Sequence, residues 1–481
     1  MRYFFGLFVL LALTTRALAD LPEPVAEALR AVNLPVSSAS ALVQEVDSQS
    51  ASLRYRVDAV VNPASVMKLV TTYAALELLG PAFRWKTDVY RDGETLYLHG
   101  SGDPKLTYES FWLMLRALRG RGLRDLRGDI VIDRSYFGAA PAAPIDDETF
   151  RPYNVRPDAL LVNFKALRFT FLPTATSVGV YVEPALPGLE VANSLTLAEG
   201  SCPDGRAFRD LIGAAFQSRP PRASFTGRYP LACGEKSLNV ALHDSADYLE
   251  AMIRQLWGEM GGTWTGRLRE GAVPPTAQLF YTHESEPLAE AVRDINKFSN
   301  NVMARQLYLT LAAETAGAPA QPENALQAIR QWLARKNLAA PELVMENGSG
   351  LSRNERISVA SLAAILRAAW HSAVMPELVS SLPIVAADGT MKRRLKNEPV
   401  AGQAHIKTGL LNDARAVAGY VLDRNGRTQV VVMVVNHPRA PESQAALDAL
   451  VAWAYAQPAP IGPTGRARST SRPRAVSPRH P

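Results

Sequence analysis

The chain carries almost no cysteine: only Cys202 and Cys233 in 481 residues. That excludes a disulfide-knit scaffold, and neither cysteine sits in a zinc-ligand pattern. The seven histidines are scattered, with no His-x-x-x-His pair, so no metal or other cofactor is expected. There is no Gly-x-Ser-x-Gly elbow, which disfavours a Ser-His-Asp hydrolase of that type. Beyond the first residues no apolar run is long enough to span a membrane. No internal repeat is found. What remains is an ordinary globular composition, 47% hydrophobic and 20% charged, with length for two or three domains.

The two ends differ from the body. Residues 1–19 read as a secretory signal, with Arg2, an apolar stretch at 4–13 and Ala17-Leu18-Ala19 as a cleavage site. The expectation is a soluble protein exported to the periplasm or another extracytoplasmic space. Export permits a Cys202–Cys233 bond, contributing about 3–4 kcal/mol by loop closure; the alternative is two buried thiols. The formal charge of +6 belongs to the ends. Removing the signal and the tail from Pro458, with its five arginines and no acid, leaves the body at −1. The tail at 458–481 is expected to be disordered. It suits weak contact with anionic lipid or cell-wall polymer, or no fixed partner at all; nucleic acid is not an expected partner.

Against this plain background, Asn62-Pro63-Ala64-Ser65-Val66-Met67-Lys68 stands out. Asn62 and Pro63 read as the cap and first position of a helix stopped by Gly80. The residues between are almost all apolar or small, so Lys68 should be buried. A buried lysine is costly unless it is paired or its pKa falls, and then it can act as a base. Ser65 lies on the same face, near the positive end of the helix dipole. The rival reading is a snorkelling lysine at a chance spacing. This is the one Ser-x-x-Lys in the chain.

Strand patterns are expected at 42–45 and 53–57 (a hairpin), 95–99, 130–133, 167–172, 178–183, 416–422 and 429–435. Helices are expected at 111–119, 287–297, 301–315, 325–336, 358–371 and 443–456. The stretch 83–282 reads as strand-rich, and 202–233 within it shows little regular pattern. Asp423-Arg424-Asn425-Gly426 is a hairpin turn signal.

Two more motifs accompany the serine and lysine. Lys407-Thr408-Gly409 opens the last sheet. A lysine and a hydroxyl on a strand edge suit a carboxylate, and Gly409 allows close approach of a substrate backbone. The Leu410 N–H is a candidate partner for the Ser65 N–H in an oxyanion hole. Ser-x-Asn occurs three times, from Ser237, Ser299 and Ser352. Ser299 and Asn301 are selected because they lie between two expected helices, where a turn can aim side chains at a cleft.

In this order the three motifs resemble those of penicillin-binding proteins and serine β-lactamases. About 230 residues separate the first two, room for an inserted module. Together with Ser101-Gly102-Asp103-Pro104-Lys105-Leu106, Gly348-Ser349-Gly350-Leu351-Ser352-Arg353 and Asp388-Gly389-Thr390, this resembles the class C low-molecular-mass penicillin-binding proteins, the D-alanyl-D-alanine carboxypeptidase/endopeptidase family. The resemblance covers residues 22–456.

It implies an α+β fold: a β-lactamase/transpeptidase-like domain with a large strand-rich insertion. The implied layout is a split catalytic domain at 20–82 and 285–457, an inserted domain at 83–162 and 236–284, and a nested domain at 163–235. It also implies roles. Ser65 attacks the penultimate D-Ala carbonyl, Lys68 takes its proton, and Ser299 relays a proton to the leaving amine. Asn301 binds Lys68 and the substrate amide, while Lys407 and Thr408 hold the terminal carboxylate. Asp133, Phe137 and Arg353 match family residues near the stem-peptide side chain, although Asp133 also reads as a strand-end acid making a turn. Leu410 and Asn412 depart from the pattern, which has a small hydroxyl and a longer amide there. The implied partners are peptidoglycan stem peptides, with β-lactams as covalent inhibitors. A serine β-lactamase and a non-catalytic peptidoglycan-binding scaffold are the competing readings. No Glu-x-x-Leu-Asn base supports the first, and the intact motifs argue against the second.

Overall fold

The structure is a computed structural model that describes residues 20–138 and 148–458. The expected signal at 1–19 and the stretch beyond Pro458 lie outside the described residues. Five antiparallel strands form one sheet, in the order Ala51–Tyr55, Ala39–Glu45, Thr428–Asn436, Ala414–Leu422 and Ala404–Leu410. The apolar run in Thr428–Asn436 serves two cores at once. Val430, Val432 and Val434 point into one apolar cluster, and Val431, Met433 and Val435 into another. A strand buried on both faces needs no polar alternation, which is why its sequence is continuous.

Each core has its own helical cover. Val25 and Leu29 of Glu23–Ala31 and Leu447, Leu450 and Val451 of Gln444–Tyr455 fill one. The other is filled by Lys68–Leu79, Leu288–Lys297, Asn301–Ala316, Pro322–Arg335 and Val359–Trp370. Two of these helices, Asn301–Ala316 and Val359–Trp370, start at a side-chain cap. Ser358 accepts from the Ser361 N–H at 3.0 Å. The helix expected from 325 begins at Pro322, since proline is tolerated in a first turn.

The chain leaves this half at Phe83–Trp85 and returns at Ser285–Leu288, and the crossings are tied together. Trp85 N–H donates to Ser285 Oγ at 3.0 Å, Ser285 N–H to Trp85 O at 3.0 Å, and Leu288 N–H to Phe83 O at 2.8 Å. Between them lies a second five-stranded sheet, in the order Leu268–Glu270, Ile130–Asp133, Thr95–Gly100, Lys86–Asp92 and Gln278–Glu284. One apolar cluster runs from this sheet through Phe169, Phe171 and Phe225 to Tyr229.

Two readings from sequence need correction here. The 202–233 segment is not irregular. It contains the helix Gly205–Leu211 and the strands Ala215–Ser218, Pro221–Phe225 and Arg228–Pro230. These strands are too short for a period to register, and two of them pair in parallel with distant partners at 190–193 and 196–198. The strand-rich stretch also holds a helix, Ser245–Glu259, burying Tyr248, Leu249, Met252, Ile253, Leu256 and Trp257. Cys202 and Cys233 are bonded to each other. No helix among the described residues is long and apolar enough to cross a membrane.

Trp85 is buried, and its indole N–H donates to Thr310 Oγ1 at 2.9 Å, so it joins the crossing point to the catalytic helices. Trp85→Ala should cost about 3–5 kcal/mol of stability. A urea unfolding midpoint within error of wild type would refute this.

Candidate active site

Ser65 does not lie in the first turn of an α-helix. Ala64–Met67 is a 3-10 turn, and the α-helix begins at Lys68. Asn62 still works as a local cap: its Oδ1 accepts from the Ala64 N–H at 2.9 Å. In a 3-10 turn residues i and i+3 eclipse, which brings Ser65 directly over Lys68. Ala64 has φ 48°, a left-handed conformation that a non-glycine residue adopts only under constraint.

The constraint comes from two glycines. A Cβ on Gly350 would lie 1.9 Å from Ala64 O, and one on Gly409 would lie 2.7 Å from Pro63 O. The turn is therefore clamped between the 347–350 loop and the edge strand of the sheet. Neither clamp tolerates a side chain.

Lys68 is fully buried and has three partners. Its Nζ lies 2.9 Å from Ser65 Oγ, 2.5 Å from Asn301 Oδ1 and 2.5 Å from the Ser349 carbonyl. Burial, with Lys407 and then Arg305 adding like charge, lowers its pKa well below the ordinary lysine value; Glu355 opposes them. A neutral amine has two N–H donors and one lone pair. The two carbonyl oxygens accept only, so they take both donors. When Lys68 is neutral its lone pair faces Ser65, the one partner able to donate a proton to it, and when it is charged the third N–H donates to Ser65 Oγ.

Ser299-Asn300-Asn301 divides its work by position. Ser299 is the turn between the helices Leu288–Lys297 and Asn301–Ala316 and has φ 55°. Asn300 caps the second helix by accepting from the Met303 N–H at 3.1 Å. Asn301 reaches Lys68, while Ser299 Oγ accepts from Lys407 Nζ at 2.8 Å. Lys407 is itself fully buried, also donates to Thr408 O at 2.8 Å, and burial brings its pKa down to about 7.

The edge strand also presents backbone donors. Leu411 N–H bonds to Ala414 O and Leu422 N–H to Gln403 O, so the odd-numbered residues pair with the neighbouring strand. The N–H groups of the even residues point off the sheet, as Ile406 does to Pro383 O. By that alternation the Leu410 N–H faces outward beside the clamped Ser65 turn. Thr408 Oγ1 lies 2.9 Å from Thr390 Oγ1. Lys297, two residues before Ser299, reaches Asp388 Oδ2 and Leu382 O, each at 2.6 Å, and so fixes the Asp388-Gly389-Thr390 segment next to the site.

A cleft of about 1550 Å³ opens from Asn301 and Leu410 and is also lined by Arg353 and Asn412, both exposed. Ser65, Lys68, Ser299 and the Lys407-Thr408-Gly409 run lie behind these residues rather than on the cleft wall, and Asp133 and Phe137 do not line it either. Asp133 is buried in its own sheet. Its Oδ1 accepts from Ser135 N–H and its Oδ2 from Val273 N–H, both at 2.9 Å, and His99 Nδ1 lies 3.5 Å from Oδ2. Those contacts are those of a strand-end acid making a turn. Phe137 is buried with its ring against Gly102. Sequence reasoning did not single out the Ser349 carbonyl, because a backbone acceptor leaves no residue-type signal. No group of three or more His, Cys, Asp or Glu residues among the described residues is arranged to hold a metal ion.

A helical cluster and an antiparallel sheet meeting at such an edge define the β-lactamase/transpeptidase-like α+β class. Residues 21–457 match the D-Ala-D-Ala carboxypeptidase 3 (S13) family, and the chain belongs to it. It is a serine-type D-Ala-D-Ala carboxypeptidase, a hydrolase. The D-alanyl-D-alanine carboxypeptidase of Actinomadura sp. is 29% identical over 401 residues, 78% of this chain and 73% of that protein. The D-alanyl-D-alanine carboxypeptidase DacB of Haemophilus influenzae is 22% identical over 388 residues, 78% of this chain and 80% of that one. The solved structure of penicillin binding protein 4 (dacB) from Haemophilus influenzae shares the fold. Its TM-score is 0.71 at 21% identity, covering 88% of this chain and 98% of that one.

The glycine clamp gives a direct test. Gly350→Ala should slow acylation of the protein by benzylpenicillin about 100-fold, since a misplacement of about 1 Å can cost that much. Time-resolved intact-mass measurement reads it, and an unchanged rate would show that the clamp is not needed.

Proposed function

We propose that Ser65 is the acylated nucleophile and Lys68 its general base, acting on D-Ala-D-Ala ends of peptidoglycan stem peptides and on the D-amino-acid cross-links between them. The observation that carries this reading is the partner set of Lys68, which leaves its lone pair to Ser65. Ser65 Oγ attacks the penultimate D-Ala carbonyl as its proton passes to Lys68. The oxyanion is held by the Ser65 and Leu410 N–H groups. Ser299, bonded to Lys407, relays to the departing D-Ala nitrogen the proton that Lys68 took from Ser65, so that Lys68 returns to its neutral form. The Asn301 Nδ2 donates to the substrate amide, while Lys407 and Thr408 take the terminal carboxylate. Water then cleaves the acyl-enzyme, releasing the shortened peptide and freeing Ser65.

A β-lactam presents the same features in one bicyclic molecule, an acylating carbonyl and a carboxylate. Its leaving nitrogen stays tethered after attack, so the acyl-enzyme persists. Arg353 and Asn412 are proposed to contact the stem peptide along the cleft they line. Asp133 and Phe137 are not included, because their groups are spent internally. An extracytoplasmic location follows from the substrate class, and the leader at 1–19 supports it.

Benzylpenicillin should add its full mass to the protein once, and Ser65→Ala should abolish the adduct. An adduct that survives the substitution would refute the nucleophile assignment. Steady rapid turnover of penicillin would favour the β-lactamase reading instead.

The pH dependence follows from Lys407. Its pKa in the free enzyme is lowered to about 7, so its positive charge is present below that value and lost above it. The kcat/KM for a peptide ending in a free carboxylate should therefore fall as pH rises through about 7. With the carboxylate amidated, activity should be lower throughout and that limb weakened. Identical profiles for both substrates would exclude the role given to Lys407.

A further inference from the structure

Glu355 lies beneath the 347–350 loop, fully buried and outside every role assigned above. Its Oε1 accepts from three successive backbone N–H groups, those of Glu346, Asn347 and Gly348, at 3.3, 3.2 and 3.2 Å. Its Oε2 is buried without a hydrogen-bond partner. The loop hung on this carboxyl touches the catalytic turn and its helix through three consecutive residues. Gly348 O accepts from Thr71 Oγ1 at 2.7 Å, Ser349 O accepts from Lys68 Nζ, and Gly350 abuts Ala64 O and the Ser65 nitrogen.

The loop does not need an ionisable group to turn. Asn347 Oδ1 already closes it by accepting from the Ser349 N–H at 2.9 Å and the Ser349 hydroxyl at 2.7 Å. A buried carboxyl costs more than an amide would, so its charge calls for an explanation. The charged groups acting on Lys68 are Lys407, Arg305 and Glu355, and Glu355 is the one acid among them. Tyr308, across the loop, also faces it.

We propose that Glu355 is a positioning residue for proton transfer from Ser65. It anchors the loop whose Ser349 carbonyl orients the Lys68 amine, and its carboxyl is the counterpart to the cations gathered there, setting when that amine is free of its proton. The inference rests on Lys68 being the base. Burial pushes the Glu355 carboxyl up to about 7, with the loop N–H groups and Lys68 pulling it down, while Glu355 opposes the burial-driven fall of Lys68. Each group therefore alters the proton affinity of the other.

The carboxyl is ionised above about 7, and there removing it lowers the proton affinity of Lys68, so the free amine persists to lower pH. The test is the pH profile of second-order acylation by benzylpenicillin, which reports the free enzyme. Glu355→Gln keeps an oxygen for the three N–H groups and should move the acidic limb down by about one pH unit. Glu355→Asp keeps the charge but withdraws it from the loop. It should leave the limb in place and slow acylation about tenfold. A limb that stays put in Glu355→Gln overturns the inference, as a purely structural residue would change only the rate and the melting temperature. If wild-type Ser65 is not acylated at all, the reading on which the inference rests has failed. That is a different result from an acylated wild type with unshifted variants.

Discussion

Two lysine side chains held out of water govern this structure. Lys68 and Lys407 are both fully buried in one site, each on a serine hydroxyl. Burying either ammonium without partners would cost several kcal/mol, and burying both adds mutual repulsion. The protein meets this with acceptors drawn from far apart in the chain: Asn301, the Ser349 carbonyl and the Thr408 carbonyl. The same surroundings that make the lysines expensive make them easier to deprotonate. Catalytic competence and local instability thus have one origin.

Around that pair the backbone is arranged for closeness. Gly350 and Gly409 let a loop and a strand edge approach the Ser65 turn from two sides, and Ala64 takes up the strain with a left-handed conformation. The Ser299 turn carries the matching feature, with its own positive φ and a neighbouring asparagine that caps the next helix. The strained residues sit where the Ser65 and Ser299 hydroxyls are aimed at Lys68 and Lys407. A regular helix follows each of them, Lys68–Leu79 after the first and the Asn300-capped Asn301–Ala316 after the second.

Most of the α+β organisation was legible in the sequence because its elements have strong periods. The hairpin at the start, the terminal sheet and the amphipathic helices from 287 onward all follow the expected pattern. Part of what escaped was short or non-local. The 202–233 segment uses three-to-five-residue strands, two of them paired in parallel with distant partners that no local window contains. The helix Ser245–Glu259 did carry a readable apolar stripe but was passed over inside a strand-rich stretch. At the site, side-chain motifs were visible, whereas the 3-10 character of the Ser65 turn and the Ser349 carbonyl were not, since both are backbone properties. Asp133 and Phe137 matched a pattern of residue types, and only coordinates reveal where such side chains point.

The register of the central sheet has a temporal meaning. Leu42 pairs with Val432, about 390 residues later, and every strand of the sheet apart from the first hairpin comes from the last quarter of the chain. Lys407 and its strand therefore cannot be seated until most of the chain has been made. Until then Ser65 and Lys68 have no Asn301, no Ser349 carbonyl and no low-dielectric surroundings, and Lys68 keeps an ordinary, protonated ammonium. A half-emerged chain is chemically silent. The topology works as a built-in delay, completing the site only once synthesis is nearly over.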